Sequence, residues 1–244
     1  SGSSYNLYMR TSRVAGLMFL AIAALAQQPQ SVEITSEPSH HMVLENEYVR
    51  VFDVTVAPNA STLVHRHNSD YLFVTLGDSD VVSARVGEKP VELQLKDGEV
   101  RFTPGKFAHA AINKSDKPFH NITIELLKPS TTTANCTEAC AVSMPCSDHS
   151  NVHCPAKVSR ISSDQWTVSL VTLPPSTHWE YAGHASPHLM IAVSDLDLSS
   201  LSKSGNESIK RDPGGLTWMP AAETHFLVNN SKKAAQFVTL EFKP

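Results

Sequence analysis

No block of basic residues occurs anywhere in this 244-residue chain, and 20 Lys and Arg against 24 Asp and Glu leave a formal net charge of -4. A mildly acidic protein without a basic patch gives no support for nucleic-acid binding. Long apolar runs are equally scarce. The longest follows Arg10 and Arg13 in "MRTSRVAGLMFLAIAALAQQ" and spans only about 13 residues, short of what a bilayer crossing needs. Its basic start, apolar middle and small-x-small ending Ala24-Leu25-Ala26 read as a signal peptide cleaved after Ala26, with "SGSSYNLY" before Met9 as upstream sequence. Residues 1–26 are thus expected to leave a chain that is secreted or periplasmic and has no membrane segment.

Helical periodicity is absent too: beyond this leader, no segment sustains an apolar repeat of 3.6 over three turns. Cysteine is confined to one stretch, "NCTEACAVSMPCSDHSNVHC", which holds Cys136, Cys140, Cys146 and Cys154. In an exported chain an even, clustered count reads first as two disulfides of undetermined pairing. The competing reading is a zinc knot that adds His149 or His153; the oxidising compartment and the lack of a C-x2-C pair favour disulfides.

What is present is a repeat. "VTVAPNASTLVHRHNSDYLFVTLGDSDV" lies over "VTLPPSTHWEYAGHASPHLMIAVSDLDL" at a constant offset of 117, which matches Pro58 to Pro175, His67 to His184 and Leu72 to Leu189. At an offset of 116, "DGEVRFTPGKFAHAAINKS" lies over "PGGLTWMPAAETHFLVNNS", which matches Gly98 to Gly214, Pro104 to Pro220, His109 to His225 and Asn113 to Asn229. The chain therefore carries one module twice. The expected division is 27–128, a Cys-rich linker over 129–157, and 158–244. Each copy is built of short β-branched and aromatic runs such as "YVRVFDVTV" and "NITIELL" separated by turn residues, which predicts an all-β sandwich or barrel in each half.

These motifs resemble those of the cupin superfamily, G-x5-H-x-H-x3 or 4-E-x6-G followed by G-x5-P-x-G-x2-H-x3-N. The second reads through as Gly98, Pro104, His109 and Asn113, with Gly105 directly after Pro104 where the family has a spacer. The first supplies His65, His67 and Gly77, with Asn59 where a Gly is often found. The resemblance spans nearly the whole mature chain and implies a bicupin, two tandem jelly-roll barrels. It also implies a metal held by His65, His67, His109 and a carboxylate from the next strand.

That carboxylate is where this chain departs from the family. Counting back from Gly77 reaches Asp70; counting on from His67 reaches Tyr71. We favour Asp70, because Leu72, Val74 and Leu76 would then share its face and fill the barrel. Tyr71 is the alternative ligand or the group that transfers a proton. Three imidazoles and a carboxylate suit Mn, Fe, Co, Ni, Cu or Zn. The second copy has Ala182 and Pro187 at the positions of His65 and Asp70, and adds His188 at that of Tyr71. It reads as a degenerate barrel, or as a second site of His184, His188 and His225. Asn113 and Asn229 are expected to close turns in a left-handed conformation. Asn59, Asn121, Asn135 and Asn206 begin N-glycosylation sequons.

Two functions follow. One is a metal-dependent oxygenase, isomerase or lyase acting on a small organic molecule at the first barrel. The other is a non-catalytic ligand-binding or assembly-forming bicupin. A homo-oligomer is expected for either, because unpaired barrel edges pair between subunits.

Overall fold

The computed structural model describes residues 2, 30–128, 130, 142–143, 156–181, 186–203, 205–221 and 225–243. The leader, the four cysteines, Asn135 and His184 lie outside them, as does the side chain of His225. Apart from one 3-10 turn, Ile34–Ser36, the described regular structure is all strand, and no described helix is long and apolar enough to cross a membrane.

The first copy contains β1 (Val32–Glu33), β2 (His40–Glu45), β3 (Val49–Val56), β4 (His65–His67), β5 (Tyr71–Leu76), β6 (Ser79–Arg85), β7 (Val91–Leu95), β8 (Val100–Thr103), β9 (Phe107–Asn113) and β10 (Phe119–Leu126). They form two five-stranded sheets, β1-β4-β9-β6-β7 and β2-β3-β10-β5-β8, that face each other around one interior. The second copy contains β11 (Val142–Ser143), β12 (Ala156–Ser162), β13 (Trp166–Leu173), β14 (His178–Tyr181), β15 (His188–Ala192), β16 (Leu196–Ser202), β17 (Gly205–Arg211), β18 (Leu216–Met219), β19 (His225–Asn229) and β20 (Ala235–Phe242). Its sheets are β11-β12-β13-β20-β15-β18 and β14-β19-β16-β17.

Equivalent positions of the two copies do the same work. Asn59 and Ser176, 117 residues apart, both adopt φ near 57°, and Gly98 and Gly214 share a positive φ of 70° and 87°. Asn113 and Asn229 are fully buried, and neither is left-handed as expected from sequence. Instead the Nδ2 of Asn113 donates to the carbonyls of Val56, Ala57 and Lys117, and that of Asn229 to Leu173, Pro174 and Lys233. Each amide thus staples the end of its β9-type strand to the end of its β3-type strand.

The barrels meet through sheets that are apolar on both faces. Along β3, Phe52, Val54 and Val56 point into the first barrel with Ile34, Val81, Leu95 and Phe119. Val49 and Val51 point the other way and join Leu72, Val74, Leu76, Ile122, Ile124 and Leu126 against Trp166, Leu189, Ile191, Val193, Val238 and Leu240 of the second copy. The association is pseudo-symmetric: Gly98 approaches Val193, and its equivalent Gly214 approaches Leu76, the equivalent of Val193. Leu72, Val74 and Leu76 therefore line the seam rather than fill the barrel, which corrects the sequence-based assignment. A strand buried on both faces carries no polar phase to say which face is inward.

Candidate metal centre

Strand alternation puts His65 and His67 on one face of β4, and both are 1% exposed. Antiparallel pairing of β4 with β9 sets His65 opposite His109, so the third imidazole arrives from the second motif at the same level. The Nε2 atoms of His65 and His67 lie 3.2 Å apart, as do those of His67 and His109. Among the described residues these three form the one group of potential metal ligands, with all donor atoms within 4.8 Å of one another.

The remaining ring nitrogens fix the orientation. Nδ1 of His65 donates to the carbonyl of Leu63 at 3.0 Å, which leaves a lone pair on its Nε2, aimed at the cluster. Nδ1 of His109 meets the Ser83 hydroxyl at 3.0 Å. Such outer partners orient metal ligands. Burial and the neighbouring imidazoles hold all three rings neutral, with Arg85 adding to the effect on His67 and His109: His65 is pushed down to about 4, His109 to about 3, and His67 further in the same direction. A single proton on His67 Nε2 can satisfy one of its two Nε2 neighbours only. Nδ1 of His67 is itself buried without a partner. A cation would accept all three lone pairs at once, so the donor set fits a borderline transition metal.

The side chain that completes the inward face is Tyr71, not Asp70. Its ring lies on the cavity wall, stacked on His67, on a strand position paired with Thr103. Burial pushes its phenol up to about 12. The Asp70 carboxylate instead accepts the N–H of Gly105 at 2.8 Å. A Cβ on Gly105 would stand 2.3 Å from the carbonyl oxygen of Ser69. The Pro-Gly corner and Asp70 thus lock two turns together at the rim, and that lock takes the carboxylate away from the imidazoles.

The three imidazoles open onto a cavity of about 350 Å³. Two of its features were not read from sequence. His40, on β2, lines it with its ring centroid 4.6 Å from that of His65. Its Nδ1 is 2.5 Å from the carboxylate of Glu37, which is 3% exposed and also accepts the N–H groups of Ser39 and Leu63. Burial would raise Glu37, but the bonds from His40, Leu63 and Ser39 outweigh it and leave this carboxyl below its ordinary value. Asn121, 3% exposed, also faces the cavity, with its Oδ1 accepting from Thr123.

Among the described residues, the second interior is lined mainly by apolar side chains. Val171, Leu173, Met190, Ala192, Leu198, Leu227 and Phe237 pack together there. His188 occupies the position of Tyr71 and is buried on the Met190 face, with Nε2 2.9 Å from the sulfur of Met219, the residue equivalent to Thr103. Of the second candidate site only His188 has a described side chain.

No protein-family profile matches this chain, and no curated protein matches it. Solved structures do. A protein named AerE from Microcystis aeruginosa aligns with a TM-score of 0.60 and 11% identity over 85% of this chain and 99% of that one. Oxalate decarboxylase from Bacillus subtilis aligns at 0.57 and 10% identity over 80% of this chain and 69% of that one. A second structure of that decarboxylase, described for its Mn(II) centres, aligns at 0.57 and 11% identity. These likenesses establish the fold: two cupin-type barrels in tandem.

Proposed function

We propose that this two-barrel chain of the cupin fold is a metal-dependent enzyme acting on a small organic molecule in its first barrel. The observation that carries the reading is the first interior, which keeps about 350 Å³ open in front of three converging neutral imidazoles. A scaffold has no use for such a space.

In this reading His65, His67 and His109 hold a divalent transition ion, drawn from Mn, Fe, Co, Ni, Cu or Zn. The ion, when bound, supplies Lewis-acid polarisation of a substrate oxygen or a site for O2. Tyr71 acts from the wall. With its phenol pushed up to about 12, it stays protonated at neutral pH and serves as a donor toward the substrate rather than as a base. Phe73, Val81, Leu93 and Phe119 exclude water from the inner end. The second barrel serves as a structural partner that covers the apolar outer face of β3, β5 and β10.

Export belongs to the same proposal and is supported by the leader pattern and the clustered cysteines. N-terminal sequencing of the secreted chain, expected to begin at Gln27, tests it. The metal is tested by elemental analysis of the purified chain and of His65→Ala. Stoichiometric metal in the first and its loss in the second are expected; no metal in either ends the reading.

A further inference from the structure

The charges around the cavity do not balance. Two arginines, Arg85 and Arg101, line it, and Glu88 is the one carboxylate residue that does. Arg101 is already committed, because its Nε donates to Glu99 at 2.7 Å. Arg85 is not held in this way. Its nearest carboxylate is that of Glu88 at 3.9 Å, which is 57% exposed and so contributes little. What holds Arg85 is the ring of Phe107, whose centroid is 4.0 Å from the guanidinium carbon.

That placement is close to the metal centre. Arg85 ends β6 and pairs in register with His109, which pairs with His65. The Phe107 ring beneath it lies 5.2 Å from that of His109 and 5.7 Å from that of His67. Arg85 also contributes to the lowered values of both imidazoles. The three imidazoles and the neutral Tyr71 phenol carry no negative charge, Asp70 is turned away, and the buried Glu37 carboxylate behind His40 is already engaged by His40, Ser39 and Leu63. A divalent ion and Arg85 would together bring three positive charges against that one buried carboxylate. A low-dielectric cavity with this excess calls for an anion.

We propose that the first cavity binds a small carboxylate with an apolar body, the carboxylate engaged by Arg85 beside the three imidazoles. A guanidinium held over an aromatic ring by a cation–π contact spends none of its N–H groups on that contact and keeps them for a planar, bidentate partner. Beyond the imidazoles much of the wall is apolar, with Val54, Val81, Leu93, Leu95 and Phe119, although Asn121 and Thr123 face it too. An all-polar anion would leave that surface in contact with water. The proposal deepens the metal-centre reading and rests on it for the reaction, but the contribution of Arg85 to carboxylate binding can be measured without metal.

The test is calorimetric titration of the full chain, metal-free and Zn-loaded, with 3-phenylpropanoate, its neutral amide 3-phenylpropanamide, and oxalate. Wild type should bind 3-phenylpropanoate more tightly than the amide or oxalate. Arg85→Gln should weaken the carboxylate by about tenfold to a hundredfold in both forms, the range for a hydrogen-bonded charged pair, and leave the amide and the zinc stoichiometry unchanged. Arg85→Lys should fall between. Equal binding of carboxylate and amide by wild type, unchanged affinity in Arg85→Gln, or no binding of the carboxylate by either form overturns the inference. Absence of zinc uptake overturns the metal reading instead, and the metal-free arm still decides the role of Arg85.

Discussion

The phenol ring of Tyr71 lies flat on the imidazole of His67, with centroids 4.0 Å apart and planes inclined by 14°. Residues four apart in sequence meet because the chain turns between β4 and β5 and enters the second sheet with position 71 inward. The stack orients a metal-ligand candidate by its face, and the hydroxyl stands apart from it at the far end of the ring. Ring and hydroxyl therefore have separable roles. Tyr71→Phe should keep stoichiometric metal and change stability by less than about 1.5 kcal/mol, the upper net value of one hydrogen bond. It should also lower turnover of a carboxylate substrate. Metal analysis and urea unfolding of the variant check this; loss of metal on removing the hydroxyl alone would make that oxygen a ligand.

Asp70 and Gly105 give the complementary expectation. The carboxylate holds a backbone N–H at the rim and does not face the imidazoles, so Asp70→Ala should cost about 1 kcal/mol, as for a lost hydrogen bond, without loss of metal. Gly105→Ala would bring a Cβ to 2.3 Å from the Ser69 carbonyl oxygen, and the backbone must move to relieve it. Overpacking of this kind costs about 1–3 kcal/mol, so it should be the more damaging change of the two. Denaturant midpoints for the two variants, with metal content measured alongside, separate a structural Asp70 from a ligand.

Acid should destabilise the metal-free chain through its imidazoles. His65 and His109 have ordinary values of 6.5 that burial lowers to about 4 and about 3. As pH falls through 6.5 the unfolded chain takes up protons that the folded chain refuses, so the unfolded state binds more protons and stability declines. The decline runs from 6.5 to about 4 for His65 and continues to about 3 for His109. Metal binding to the folded chain needs the same lone pairs and should weaken only as pH falls below about 4, where the folded imidazoles themselves take up protons. Urea midpoints measured across this range should fall less steeply for His109→Gln than for wild type. Parallel slopes would mean that His109 does not titrate differently on folding.

The repeat, the all-β architecture and the three imidazoles were legible because each is written as a fixed spacing. H-x-H survives on one strand face whatever surrounds it, and the Gly-Pro-His-Asn run keeps its own interval. The inward side chain of β5 was not legible, because Tyr71, Leu72, Val74, Thr75 and Leu76 are all buried, so neither phase of the strand looks like a surface. His40 and Glu37 escaped notice for another reason. They precede the first motif, and they reach the cavity because β1 pairs in parallel with β4 and β2 pairs with β3, contacts that leave no periodic trace. Ser83 and Arg85 were within reach, since "VVSAR" alternates toward the interior, but nothing in the spacing told which face of β6 that was.

The seam between the barrels yields the last expectation. Leu72, Val74, Leu76, Ile122, Ile124 and Leu126 form one outer face of the first barrel, and Trp166, itself 1% exposed, lies across it. Its ring centroid is 5.5 Å from that of Phe102, which also lines the cavity. Removing a buried indole costs about 3–5 kcal/mol, because the surrounding side chains close the gap only in part. Trp166→Ala should therefore unfold at markedly lower denaturant, although it touches no imidazole. Residues 27–128 expressed alone should expose the same apolar face and self-associate, since patches of that kind rarely stay uncovered on monomers. Sedimentation of the fragment beside the full chain checks this. A monodisperse, monomeric fragment that binds metal as the full chain does would show that the second barrel is not needed as a cover.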